Sequence, residues 1–103
     1  MKLILDSQLP KLQKSGSQGM VPIVKFFNPC GAQTWLITGM ENDGDTLWGY
    51  ADLGFGCVEF GTISLSELKN LRLPFGLSIE RDLHFKPRHT AEEYLGMTSL
   101  AGI

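Results

Sequence analysis

Cysteine and histidine are scarce in this chain, two of each among 103 residues. Cys30 in NPCGAQTW and Cys57 in GFGCVEFG stand in separate segments and form no C-x-x-C pair. That spacing offers neither a zinc knuckle nor a dithiol redox motif, and both residues read as reduced, partly buried thiols that pack as small hydrophobes. His84 and His89 share no local spacing with either cysteine that would make a nucleophile and its base. Long apolar runs are also missing. The opening MKLILDSQLPKL has a short apolar stretch that ends at Asp6, far below the length of a secretory core or a membrane span. A cytoplasmic chain with no membrane partner is the expectation. Basic charge is in deficit, nine Lys and Arg against eleven Asp and Glu for a net charge of -2, so no global field draws a polyanion. Nucleic-acid binding is disfavoured; its specific form would have to use Lys25, Lys69, Arg72, Lys86 and Arg88.

The chain does contain the material of one packed core. Hydrophobic residues make up 43% and charged residues 19%, a globular balance, and the length supports a single domain over residues 1–103. Residues 1–19 read as a short helix, with Leu9 and Leu12 three apart, followed by a mobile Ser/Gly loop. Residues 20–63 are β-rich. MVPIVKFFNP is an edge strand or the start of one, because Pro22 removes a ladder donor. QTWLITGM and TLWGYADL flank ENDGD, whose Asp43-Gly44 step suits a tight hairpin. GFGCVEFGTIS follows as a further strand. Its glycines lack the following helix and the lysine of a phosphate loop, so bends are the better account of them.

Residues 64–73 predict a helix, with Ser64 and Glu67 as a capping box and a stop before Pro74. Residues 77–86 predict a strand and 90–96 a helix capped by Thr90 and closed by Gly96, leaving 97–103 as a tail. The order gives a small α+β domain: an antiparallel sheet of about four to five strands with two or three short helices.

Within GLSIERDLHFKP, a continuous strand would put Leu77, Ile79, Arg81, Leu83 and Phe85 on one face, pointing Arg81 at the core. A guanidinium there needs acceptors, and Glu59 and Asp52 are the candidate partners of a structural ion pair. The functional alternative is that Arg81 grips a carboxylate or phosphate of a ligand. The opposite face carries Glu80, Asp82 and His84, roughly 7 Å apart, a spacing that permits a metal or acid/base site. Charged rows of this kind also protect sheet edges, and no metal or other cofactor is assigned. Glu41, Asp43 and Asp45 lack the twelve-residue loop of a calcium site, so a turn explains them better. Trp35, Trp48, Phe55 and Phe60 are either core or a binding face.

Taken together, LPKL, KFF.P, DGDT, SL.EL and GL.IERD.HF.P resemble a bacterial family of short proteins catalogued as a domain of unknown function. The resemblance spans most of the chain. It implies carriage on plasmids, integrative elements and phages, where small accessory proteins manage transfer, stability or conflict with host defences. It supplies no catalytic residues. Without a coherent set of nucleophile, base and orienting group, the expected function is a non-catalytic interaction module that binds a protein partner, with a host defence or restriction complex as the target to inhibit. Glu41, Asp43, Asp45 and Asp52 would form its acidic patch. A small metal-dependent hydrolase using Glu80, Asp82 and His84 is the alternative from another class.

Overall fold

The computed structural model describes residues 1–100. Five strands, β1 (Val24–Phe27), β2 (Thr34–Met40), β3 (Thr46–Asp52), β4 (Val58–Ser64) and β5 (Glu80–Arg81), form one antiparallel sheet in the order β4-β3-β2-β1-β5. Three short helices accompany it: α1 (Leu9–Ser15), α2 (Leu65–Asn70) and α3 (Ala91–Leu95). The domain is thus α+β, as its residue pattern implies.

Both faces of the sheet are apolar, and strand alternation divides the core in two. Leu12, Val24, Phe26, Trp35, Ile37, Met40 and Leu47 pack on one face with Leu3 and Ile4 of the N-terminal segment and Leu65 and Leu68 of α2. Leu36, Tyr50 and Val58 pack on the other with Tyr94 and Leu100. Burial of residues such as Phe26, Leu36 and Ile37 contributes about 1.5–3 kcal/mol each.

Local chemistry sets the element ends. Gly44 takes a φ of 73° in the β2–β3 turn, where the carboxylate of Asp43 accepts from the N–H groups of Asp45 (2.9 Å) and Thr46 (2.8 Å). Ser64 caps α2 by accepting from the N–H of Glu67 at 3.3 Å, and Thr90 caps α3 by accepting from that of Glu93 at 3.2 Å. Helix α2 ends at Asn70, short of the expected 73. Leu73, which precedes Pro74, is extended (φ -102°, ψ 163°) as proline requires of its neighbour.

Four expectations need correction. The strand at β1 is interior, because β5 pairs along its outer side. The strand expected over 77–86 contracts to Glu80–Arg81: a turn at Pro74–Gly76 precedes it, and the Asp82 carboxylate accepts from the N–H of His84 (2.9 Å), bending the chain. The Ser/Gly segment after α1 forms a 3-10 turn, Gly16–Gln18, packed beside the upper half of β2 where β1 has ended. Of the expected tail, Leu100 is buried and its N–H donates to Asp52 (2.9 Å), while 101–103 lie outside the described residues.

Candidate functional site

Arg81 pairs with Phe26, Phe26 with Trp35, Trp35 with Ala51 and Ala51 with Glu59, so these five form one transverse row on the face that carries Phe26 and Trp35. Arg81 therefore faces as the alternation suggests. Its expected partners are nevertheless out of reach. Glu59 stands four strands away at the other end of the row, about 19 Å at ordinary strand spacing. Asp52 lies on β3 with its side chain on the opposite face, where it accepts from the N–H groups of Gly54 and Leu100, both at 2.9 Å. The Arg81 guanidinium instead donates to the backbone carbonyl of Lys2. A carbonyl acceptor on the N-terminal segment replaces the carboxylate.

Glu80, Arg81, Asp82 and His84 line one shallow depression of about 270 Å³ with Met1, Phe27 and Leu83. Asp82 faces Lys25 at 3.4 Å and holds the His84 N–H with its other oxygen. Because the strand stops at Arg81, the alternating row of Glu80, Asp82 and His84 is not built. Among the described residues no three His, Cys, Asp or Glu side chains gather into a metal-holding group. Lys25, a candidate phosphate contact, is buried beside Asp82, whereas Lys69, Arg72, Lys86 and Arg88 are exposed. Cys30 and Cys57 are both exposed, against the expected partial burial: each sits in a loop at the sheet's end.

The acidic residues do not make one patch. Glu41, Asp43 and Asp45 occupy the β2–β3 hairpin, and Asp52 is buried at the opposite end of β3. The three hairpin residues work locally. Glu41 accepts from the Trp48 indole N–H at 2.8 Å. Thr46 donates its hydroxyl to Asp43 at 2.6 Å, and this bond with the N–H groups of Asp45 and Thr46 holds the carboxyl below its ordinary 3.8. The N–H of Ser66 (2.7 Å) and the hydroxyl of Ser64 (3.0 Å) lower Asp45 likewise, which fastens the hairpin to the start of α2.

The opposite end of the sheet carries Phe55, one of the aromatics weighed as core or binding face, together with Phe75, which the sequence did not single out. The pairs Phe27·Thr34, Thr34·Asp52 and Asp52·Val58 bring the β1–β2 and β3–β4 loops to one end. The Pro74–Gly76 turn joins them, with the Cys30 thiol 3.8 Å from the Pro74 carbonyl. Phe55 is 84% and Phe75 96% exposed there, alongside exposed Leu53, Leu71 and Leu77. Phe55 stands between Gly54 (φ 91°) and Gly56 (φ 85°), and Phe75 itself has φ 63°. A left-handed conformation at a bulky residue stores about 1–2 kcal/mol of strain. From this end a groove of about 310 Å³ runs toward α2 between Trp35, Ala51, Leu53, Ile63, Leu68 and Leu71. The signal was legible as GFG and PFG, an aromatic set among the glycine and proline of a turn. A larger cleft of about 470 Å³ separates the N-terminal segment from α2, lined by Leu3, Leu9, Met40, Leu65 and Ile79 with Lys2, Asp6 and Lys69 at its polar parts. Lys2 and Asp6 pair with each other there at 2.7 Å.

A family model described as "Protein of unknown function (DUF2958)" matches residues 2–103. The chain belongs to this family. Two curated relatives match over short stretches. One is the dihydroorotate dehydrogenase (quinone) of Ectopseudomonas mendocina, 44% identical over 41 residues, which are 40% of this chain and 11% of the enzyme. The other is that of Mannheimia succiniciproducens, 38% identical over 50 residues, 48% of this chain and 14% of the enzyme. Stretches that cover so little of those enzymes carry none of their chemistry to this DUF2958 member. No solved structure matches it. No helix among the described residues is long and apolar enough to cross a membrane.

Proposed function

We propose that this chain is a non-catalytic protein-interaction module that binds its partner through the loop end of the sheet. The observation that carries the reading is the pair of exposed phenylalanines at this end, Phe55 between two left-handed glycines and Phe75 itself left-handed, with Leu53 of the same end lining an open groove. Single exposed apolar residues are ordinary, but two exposed phenylalanines on neighbouring loops, with exposed Leu53 and Leu71 lining a groove, make a candidate recognition surface. Aromatic anchors entering apolar contacts are the groups that dominate protein interfaces. The finer role is that of a cytoplasmic accessory protein of a mobile element that inhibits a host defence or restriction complex. Its support is the resemblance carried by DGDT and IERD to short proteins of plasmids, integrative elements and phages. The hairpin carboxylates lend less to this role than their number suggests, because Asp43 and Asp45 are engaged within the fold and Asp52 is buried.

A photo-crosslinking side chain placed at 55, at 75 or at the exposed Lys11 of α1 tests the binding face in bacterial lysate. The expected result is one common adduct from positions 55 and 75 and none from position 11. Equal labelling from all three, or labelling from position 11 alone, contradicts it.

A further inference from the structure

The two edges of the sheet are unlike. β5 is two residues long, and its outer side is occupied by the N-terminal segment: the Arg81 N–H meets the Met1 sulfur at 3.2 Å and the guanidinium takes the Lys2 carbonyl. β4 is a full seven residues, pairs with β3 without interruption, and has no strand on its outer side among the described residues. Proteins blunt such edges with lysine, proline, bulges or short strands. VEFGTIS has none of these, and Glu59 is its one charge.

We propose that β4 pairs antiparallel with β4 of a second copy of this chain about a two-fold axis at Gly61, joining the two sheets into one. Antiparallel pairing is the mode every strand of this sheet already uses. With Gly61 opposite its own mate, Phe60 meets Thr62 of the other copy and Glu59 meets Ile63. Like charges are kept apart in this register: the two Glu59 side chains sit four residues along the strand from one another, about 13 Å, beyond the screening length at physiological salt. A register centred on Glu59 would oppose the two carboxylates directly, which is destabilising. Phe60, 39% exposed, acquires the other Phe60 as a diagonal neighbour within aromatic reach. Nothing lies within 4 Å of a Cβ built on Gly61, so the centre of the contact is open. Since the far edge is occupied, the assembly closes as an isologous dimer and does not grow. This dimer stands independently of the loop-end reading, because Phe55 and Phe75 lie outside β4.

Sedimentation velocity on the intact chain over a rising concentration series tests the proposal, with Gly61→Lys and, in a Cys30→Ser, Cys57→Ser background, Gly61→Cys. The open space at Gly61 lets a folded monomer accept either side chain, and circular dichroism checks this. The mass should approach twice the 11.4 kDa of one chain. Gly61→Lys sets two like charges face to face and should weaken association roughly 100-fold or more. Gly61→Cys should give a disulfide-linked dimer on mild oxidation, since directly opposed strand residues lie within disulfide range. A wild type that stays monomeric at its highest soluble concentration overturns the proposal. So does a dimer that survives Gly61→Lys unchanged, or a folded Gly61→Cys variant that dimerises without forming the crosslink.

Discussion

Asp45 shows how one side chain connects distant parts of the chain. Its carboxylate holds the N–H of Ser66 and the hydroxyl of Ser64, and its carbonyl takes the N–H of Leu65 at 2.9 Å, so the hairpin tip fixes where α2 begins. The bonds from Ser66 and Ser64 to the carboxylate favour its ionised form and lower the folded pKa below 3.8. A depressed carboxylate contributes stability that is complete above its unfolded value and is lost as pH falls through the folded one. Melting curves at stepwise lower pH should therefore show the wild type losing stability below pH 3.8 more steeply than Asp45→Asn. Parallel profiles for the two would mean that the Asp45 bonds do not favour the charged form. The sequence showed Asp45 as part of a turn and of a candidate acidic patch; a contact across 21 residues has no local signature. Arg81 illustrates the same limit from the other side. Its facing was readable from alternation, but its acceptor is a backbone carbonyl, and a carbonyl belongs to every residue alike.

At the scale of elements, capping and turn chemistry were the legible parts. Ser64, Thr90 and the Asp43-Gly44 step act where their residue types say they should, because each uses neighbours within four residues. Strand length and edge identity were not legible, since both depend on which strand arrives from elsewhere. The passage beside β2 is a clear case. The backbone carbonyl of Gly16 would lie 1.8 Å from a Cβ on Gly39, and that of Thr38 2.4 Å from one on Gly19. Gly39 sits where the β2–β3 register shifts between Ile37 and Gly39. Gly39→Ala should therefore force the 3-10 turn off the sheet and destabilise the fold by about 3 kcal/mol or more. A urea titration reads this directly, and a loss below about 0.5 kcal/mol would show that the turn shifts without strain.

On the scale of the whole molecule, chemistry is divided between two poles. The β2–β3 hairpin end carries Glu41, Asp43 and Asp45, each occupied by internal hydrogen bonds. The loop end carries Phe55, Phe75 and an apolar groove with nothing packed on them among the described residues. A partner-binding function assigns recognition to the second pole, and it leaves Arg81, tied to the N-terminal segment, with a structural role. Affinity capture from bacterial lysate, run side by side with wild type, Phe55→Ser/Phe75→Ser and Arg81→Ala after circular dichroism confirms that all three fold, separates these roles. The expected result is one stoichiometric partner retained by wild type and by Arg81→Ala and lost from the double phenylalanine variant. A partner that stays with the double variant and leaves with Arg81→Ala would contradict the account and move recognition to the Arg81 depression.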